Sequence, residues 1–275
     1  MRLYERLQAL YPGASHRRLK QWLEASRIRV NGAIVRRGDL AVGVEDRVEL
    51  IAAPPPACPP PLRLVHEDED ILVVDKPSGL LTIATERERE HTAYRLLREW
   101  VSGRGPASAR LFIVHRLDRE TSGLIVFAKS AAAKERLQAQ FAARAVERVY
   151  VALAEGVMRQ GEGTLVSRLI EDPALRVRTT DRRAGREAIT RYRVLERRRA
   201  ETLLELQLVT GRRAQIRAQL AAAGHPIAGD REYGGRTDPL RRLALHATRL
   251  AFVHPRGGRV SFDSPLPAAF GRRPA

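Results

Sequence analysis

Apolar residues occur along most of the chain in short blocks that polar and glycine-containing segments separate. Blocks this short and continuous are typical of strands buried in a sheet, whereas a surface helix spaces its apolar residues by three and four. Because long helical patterns are few, we expect a mixed, largely antiparallel sheet. The blocks are ILVVD (71–75), LFIVH (111–115), LIVFA (124–128), VYVAL (149–153), ITRYRVL (189–195) and LLELQLV (203–209).

Helical patterns form a minority, and several carry a terminal signal. Ser130 is a candidate amino-terminal cap, and Gly224 stands where a helix would stop. Near the amino terminus, the pair Asn31-Gly32 lies between alternating apolar residues, which predicts a tight hairpin. The predicted helices cover residues 3–10, 15–26, 92–101, 131–144 and 213–223.

A proline-rich segment, AAPPPACPPP at 52–61, divides the chain. Proline fixes the backbone and removes a hydrogen-bond donor, so neither a helix nor a central strand continues through this segment. We expect a stiff linker between a small amino-terminal α+β domain at 1–51 and a larger domain at 62–275. The predicted fold class is α+β.

The charge of the chain points to a polyanionic partner. Its 275 residues include 49 Lys+Arg against 32 Asp+Glu, a formal net charge of +17, and the excess is mostly arginine. The guanidinium fork of arginine matches phosphate oxygens, so a nucleic acid is the first expectation. The alternative is a genome or a thermophile that favours arginine throughout.

Cysteine usage and hydropathy indicate the compartment. Cys58 has no cysteine partner, so the sequence offers neither a disulfide nor a cysteine-based zinc site, which fits a reducing cytoplasm. The start of the chain lacks a signal-peptide pattern, and no apolar run reaches the ~18 residues that a membrane span needs. We therefore expect neither export nor membrane insertion.

A polar loop, HRLDRETSG at 115–123, lies between two strongly apolar blocks. A loop held by two buried strands can present a reactive side chain in a defined position. Asp118 has Arg116 and Arg119 near it in sequence, a setting that keeps a carboxylate ionised. The alternative is a turn in which Asp118 accepts backbone hydrogen bonds.

HRLDRETSG and four further segments together resemble the RluA family of pseudouridine synthases. The resemblance covers most of 62–267 and implies the α+β pseudouridine synthase fold. It also implies an isomerase that detaches a uracil from its ribose, turns the base and rejoins it through carbon. The further segments are DKPSGLL (75–81), VYVALAEG (149–156), LVTGRRAQIRAQLAAAGHPIAGDREYG (208–234) and LALHATRLAFVHP (243–255).

The resemblance also implies roles for individual residues. Asp118 matches the catalytic carboxylate, and Arg217 matches the arginine that pairs with it. Tyr150 matches the tyrosine that stacks on the target uracil, and Arg116 matches the arginine that replaces the flipped base in the RNA stack. Arg119 is expected to contact RNA beside Arg116. Without the resemblance, Tyr150 is about as well explained as a tyrosine packed in the core. For Arg217 the alternative is an ordinary arginine on the surface of a helix.

One departure from the family pattern lies beside Arg217. Many relatives have the sequence TGRTHQIR, whereas this chain has Arg213 and Ala214 in place of the threonine and histidine. The missing histidine weakens the expectation of an RNA contact at this position and leaves the expectations for Asp118 and Arg217 unchanged.

The amino-terminal module resembles the small RNA-binding domain first known from ribosomal protein S-four, in which two helices and a hairpin present basic residues to RNA. An ordinary solvated surface is the alternative. With this module, ribosomal RNA is the expected partner and transfer RNA the alternative, and we expect a monomer. The candidate basic face consists of Arg17, Arg18, Lys20, Arg27 and Arg29.

Other chemistries find little support in the sequence. The seven histidines are scattered without a helical His-x-x-x-His pair, so no metal is predicted. No P-loop or dinucleotide pattern occurs, and we predict no nucleotide cofactor and no other cofactor. A non-catalytic RNA-binding or ribosome-assembly protein and a two-carboxylate hydrolase remain as rivals. The hydrolase needs a second acid, for which Glu120 is the near candidate.

Overall fold

The computed structural model describes residues 1–51, 57–86, 88–104, 109–173 and 176–271. The chain divides into two compact units, Met1–Ala57 and Cys58–Ala275. The division falls within the proline-rich segment at 52–61, whose first five residues lie outside the described ranges. In the part of the chain that is described, no helix is long and apolar enough to cross a membrane.

The amino-terminal unit packs two helices against a three-stranded sheet with the order β2-β1-β3. Ser15 caps the second helix by accepting a hydrogen bond from the Arg18 amide at 3.3 Å. Asn31 and Gly32, with φ of 51° and 82°, form the predicted hairpin turn, because both central residues of such a turn need positive φ. The elements are α1 Leu3–Leu10, α2 His16–Glu24, β1 Ile28–Val30, β2 Ala33–Val35 and β3 Val48–Leu50.

The carboxyl-terminal unit is built on one large sheet. The described strands follow the order β10-β9-β11-β12-β8-β13-β7-β5-β4, while β14 pairs with β13 and β6 pairs with β7. The strands are β4 Arg63–Glu67, β5 Ile71–Lys76, β6 Phe112–Ile113, β7 Ser122–Ala128, β8 Glu147–Glu155, β9 Glu162–Glu171, β10 Val177–Thr180, β11 Arg186–Arg197, β12 Glu201–Leu208, β13 Leu245–Val253 and β14 Arg259–Asp263.

Every paired neighbour in this sheet is antiparallel except β7 and β13, which confirms the predicted mixed, largely antiparallel sheet and the α+β class. In β5, Leu72 and Val74 contribute to one apolar cluster, and Ile71 and Val73 contribute to another on the opposite face. Burial on both faces explains why the strands read as continuous apolar runs.

In the described part of this unit three helices accompany the sheet, and two of them begin at a capped residue. Thr92 and Ser130 accept hydrogen bonds from the amides of Arg95 and Ala133, at 3.1 Å each. Two short 3-10 turns, Arg231–Tyr233 and Ala268–Gly271, follow later in the chain. The helices are α3 Ala93–Ser102, α4 Ala131–Ala142 and α5 Gln215–Ala222.

The parallel contact between β7 and β13 depends on Gly123, the last residue of HRLDRETSG. Gly123 has φ of 113° and lies directly opposite Ala247. A Cβ atom at position 123 would collide with the backbone of Ala247, so only glycine lets the two strands meet here. The contact fixes where β7 starts and hence where the polar loop before it ends.

Candidate active site

A cavity of 500 Å³ lies beside the start of β7, within the volume range of ordinary ligand pockets. The HRLD loop, the end of α4, the start of β8 and the loop before α5 contribute its wall. Asp118 is the one carboxylate among the described residues that line the cavity, and six arginines line it as well. These arginines are Arg116, Arg144, Arg148, Arg212, Arg213 and Arg217.

The backbone on the amino-terminal side of Asp118 is clamped by Thr82. The Thr82 hydroxyl donates to the Leu117 carbonyl at 2.8 Å and accepts from the Leu117 amide at 3.2 Å. Both residues are buried, with 2% and 4% of their surface exposed. The Asp118 side chain is partly exposed beside this fixed backbone, as the presentation of a reactive carboxylate requires.

On the other side of Asp118, the loop is held by Lys76 at the end of β5. The fully buried Lys76 ammonium donates to the carbonyls of Pro77, Leu80 and Arg119, at 2.9, 2.7 and 3.0 Å. Burial lowers the pKa of Lys76 to about 7, although the charges of Glu120 and Asp118 oppose the shift. Lys76 therefore ties the DKPSGLL segment to the Asp118 loop.

Tyr150 in β8 forms part of the same wall and is 8% exposed. Burial raises the pKa of its hydroxyl to about 12, with the negative charge of Asp118 adding to the shift and Arg148 opposing it. The phenol is therefore neutral at physiological pH. Its register, opposite Leu206 in β12 and Ala247 in β13, places it in the centre of the sheet.

The expected ion pair between Arg217 and Asp118 does not form among the described residues. Arg217 donates instead to both carboxylate oxygens of Asp230, at 2.7 Å each, and to Glu232 at 2.8 Å. The guanidinium also lies over the Tyr233 ring, 4.6 Å from its centroid.

The carboxylate of Asp230 is buried, with 1% of the side chain exposed, and both of its oxygens accept hydrogen bonds from the guanidinium of Arg217. Such a bidentate pair is stronger than a single hydrogen bond. Burial lowers the pKa of Arg217, but the hydrogen bonds and charges of Asp230 and Glu232 raise it well above its usual value. Arg217 still lines the cavity with Asp118, but Asp230 and Glu232 offset its positive charge. The sequence had indicated no role for Asp230.

The loop before α5 also differs from the prediction. The helix begins at Gln215 rather than at Arg213, because Ala214 has the left-handed φ of 48°. The buried Gln215 side chain closes the loop by accepting from the Thr210 hydroxyl at 2.8 Å and from the Arg212 amide at 3.0 Å. Gln215 is a second site residue that the sequence did not single out.

Comparison with known proteins identifies the family. A model of the family described as RNA pseudouridylate synthase matches residues 70–222, more than half of the chain. The chain belongs to the RNA pseudouridylate synthase family. The matched range contains Asp118, Tyr150 and Arg217, and the expectation of an isomerase that acts on RNA is confirmed.

Several relatives in this family match nearly the whole length of the chain. The chain is 35% identical to ribosomal large subunit pseudouridine synthase D of Haemophilus ducreyi, over 98% of this chain and 88% of that protein. Proteins of the same name from Pseudomonas aeruginosa and Escherichia coli K12 are 37% and 34% identical, over 95% and 97% of this chain and 87% of each relative.

Solved structures with the pseudouridine synthase fold include two human proteins. Human RNA pseudouridylate synthase domain containing 4 superposes with a TM-score of 0.64 at 24% identity, over 76% of this chain and 90% of that chain. Human RNA pseudouridylate synthase domain containing 1 gives a TM-score of 0.62 at 25% identity, over 76% and 87%. The predicted fold is therefore confirmed.

The two arginines that flank Leu117-Asp118 have different positions in this family member. Arg116 is exposed and lines the cavity, next to Asp118 in the wall. Arg119 lies outside the cavity lining, and its Nε donates to the Gly79 carbonyl at 3.1 Å. Arg116 therefore lies where RNA in the cavity could contact it, whereas Arg119 does not.

The hydrolase rival needs a second carboxylate facing Asp118. Glu120 is exposed and is not among the residues that line the cavity. Ser78 donates to the Glu120 carbonyl at 2.7 Å, which holds this residue against the DKPSGLL segment. The paired carboxylates of a glycosidase are therefore absent from the described cavity wall.

In the amino-terminal unit, four of the five candidate basic residues are exposed and one is partly buried. Arg27 is the partly buried one, because its Nε donates to the Ile51 carbonyl at 3.1 Å. Arg18 and Arg27 lie 5.6 and 5.8 Å from the centroid of the Trp22 ring. The exposed residues are Arg17, Arg18, Lys20 and Arg29.

Proposed function

We propose that this protein isomerises specific uridines to pseudouridine in large-subunit ribosomal RNA. The observation that carries the proposal is a cavity whose described lining combines a single carboxylate, Asp118, with Tyr150 and six arginines. Relatives named ribosomal large subunit pseudouridine synthase D support the choice of RNA. The net charge of +17 favours a long RNA over a small neutral substrate.

The reaction breaks the bond between ribose C1′ and uracil N1 and forms a bond between C1′ and uracil C5. The hydrogen on C5 leaves as a proton, and N1 gains one, so no group stays on the enzyme. Ionised Asp118 either attacks C1′ or stabilises the positive sugar while the base is detached, as carboxylates do in glycosidases. Arg217, held by Asp230, lines the same cavity.

The remaining residues bind the nucleotide. A base in folded RNA must leave its stack before its glycosidic bond is accessible, which costs a few kcal/mol. The exposed Arg116 at the cavity is suited to fill the gap with its planar cation, and Tyr150 offers an aromatic face to the uracil, worth about 1–3 kcal/mol. The amino-terminal unit, with its S-four-like pattern, contributes phosphate contacts through Arg17, Arg18, Lys20, Arg27 and Arg29.

Site-resolved pseudouridine mapping of total RNA tests this function. Three strains are compared: one that lacks the protein, one that carries the wild type and one that carries Asp118→Asn. We expect one or a few sites in large-subunit ribosomal RNA to lose pseudouridine on deletion and to regain it with the wild type alone. Loss at transfer RNA sites would overturn the proposed substrate. An unchanged map would favour the non-catalytic RNA-binding rival. A cytoplasmic location and a monomeric state stay predictions.

A further inference from the structure

Arg148 is one of the arginines that line the cavity, and the mechanism above gives it no individual role. It lies two positions before Tyr150 in β8, and alternate residues of a strand face the same side of the sheet. Both residues line the cavity with Asp118. The strand rise separates Arg148 from Tyr150 by about 6.8 Å along β8, so one bound nucleotide and its neighbour can contact both.

Arg148 is a partly buried arginine of the cavity without an acidic partner. By contrast, Arg217 pairs with Asp230, and Arg213 pairs with Glu171. Among the described residues no carboxylate forms an ion pair with Arg148, and its buried Nε has no hydrogen-bond partner. Leaving a partly buried cation unpaired is costly, so such an arginine is expected to meet an anion in the working complex.

The surroundings of Arg148 hold the guanidinium at the cavity. Its cation lies 5.6 Å from the centroid of the Phe141 ring, and a Cβ atom at Gly211 would collide with its Nη1. Burial and, to a smaller extent, the charge of Arg148 lower the pKa of His115 to about 3. The imidazole of His115 is therefore neutral and adds no second positive charge beside Arg148. Gly211 is therefore the position whose lack of a side chain leaves room for Arg148.

We propose that Arg148 binds a backbone phosphate next to the target uridine and thereby sets the position of the sugar over Asp118. This proposal rests on the proposed function, which makes RNA the substrate. Phosphate is the anion that RNA brings into a cavity, and the guanidinium fork matches two of its oxygens. A uracil carbonyl is the alternative acceptor, and the experiment separates the two.

The test combines protein variants with RNA in which one phosphate is neutral. Single-turnover rates and dissociation constants are measured with the full-length protein and an RNA fragment that contains the target uridine. The phosphate on the 5′ or the 3′ side of that uridine is replaced by a methylphosphonate. The wild type is expected to lose about 10- to 100-fold in rate on one of the two neutral RNAs, the range of a charge-assisted hydrogen bond.

The variant Arg148→Gln is expected to lose a similar factor on natural RNA and to lose nothing further on that neutral RNA. Gly211→Ala, which displaces the guanidinium without removing it, is expected to behave in the same way. Arg159→Gln removes an exposed arginine beyond the other end of β8 and should keep the wild-type ratio between the RNAs. Thermal unfolding of each variant shows that the fold is retained.

Two results overturn the proposal. One is a wild-type protein that is indifferent to both methylphosphonates, and the other is an Arg148→Gln variant that loses the same further factor as the wild type. The wild type could instead bind the RNAs with the expected dependence on Arg148 and on the neutral phosphate, yet convert none of them. That result would overturn the proposed function but would still support the phosphate contact.

Discussion

The ion pair between Arg217 and Asp230 is the structural feature that departs most from expectation, and its burial makes a quantitative prediction. Asp230 is 1% exposed and Arg217 is 12% exposed. Replacing Asp230 with Asn keeps the size of the side chain but removes its charge and turns an NH₂ group towards the guanidinium donors. Glu232, 2.8 Å from Arg217, is then the remaining acidic partner.

Removing one partner of a buried ion pair costs about 3–5 kcal/mol, because the other charge stays buried without compensation. Since Glu232 still compensates part of the charge of Arg217, we expect the lower end, about 3 kcal/mol. For a unit the size of Cys58–Ala275, each kcal/mol shifts the midpoint of thermal unfolding by about 2–4 °C. Asp230→Asn should therefore lower the melting temperature by about 6–12 °C.

Arg249 and Asp263 provide a matched control, because they form an ion pair of the same 2.7 Å length with side chains 50% and 60% exposed. Asp263→Asn is expected to leave the free energy of unfolding within the error of a denaturant titration, since solvent screens an exposed pair. Both variants are compared with the wild type by urea unfolding and by thermal melting. Equal destabilisation by the two substitutions would refute the reasoning from burial.

Two further predictions concern the backbone around Asp118. Gly123→Ala should lower the free energy of unfolding by more than ~4 kcal/mol or prevent folding, since the added Cβ would collide with the backbone of Ala247. Gly79→Ala is the control, because Gly79 also has a positive φ but has nothing within 4 Å of an added Cβ, and it should cost ~1 kcal/mol. Calorimetry measures both values, and equal costs would contradict the packing argument. For Lys76, the folded-state pKa of about 7 lies below the usual value of 10.5. The unfolded chain therefore binds the extra proton between these values, and wild-type stability should rise with pH there, by up to about 1.4 kcal/mol per pH unit. Lys76→Met should reduce the increase of the unfolding free energy with pH, measured by urea titrations at pH 7 to 10. An unchanged increase would show that other groups cause the pH dependence.

The sequence predicts those features whose signal is local. The apolar run 71–74 of β5 identifies a strand because both faces of the sheet are buried there, so four consecutive positions are apolar. Ser130 marks a helix start because its hydroxyl meets a free amide one turn later. The pair Asn31-Gly32 marks a hairpin because both residues tolerate positive φ.

The features that the sequence does not predict depend on contacts between distant segments. Arg217 has Asp118 and Asp230 as candidate acidic partners, and spacing along the chain does not rank them. The left-handed Ala214 shortens α5 because Gln215 closes the preceding loop, which no propensity indicates. The unpaired state of Arg148 emerges only when its neighbours are in place.

Release of tritium from uracil C5 tests the central claim most directly, because pseudouridine formation replaces the hydrogen on C5 with the sugar. The purified protein is incubated with large-subunit ribosomal RNA that carries tritium at C5 of uridine, as the wild type, as Asp118→Asn and as Glu120→Gln. Glu120 is the matched control, a nearby carboxylate outside the cavity lining. We expect release by the wild type and Glu120→Gln, and a loss of more than ~10³-fold with Asp118→Asn. Release by Asp118→Asn at the wild-type rate would contradict the account.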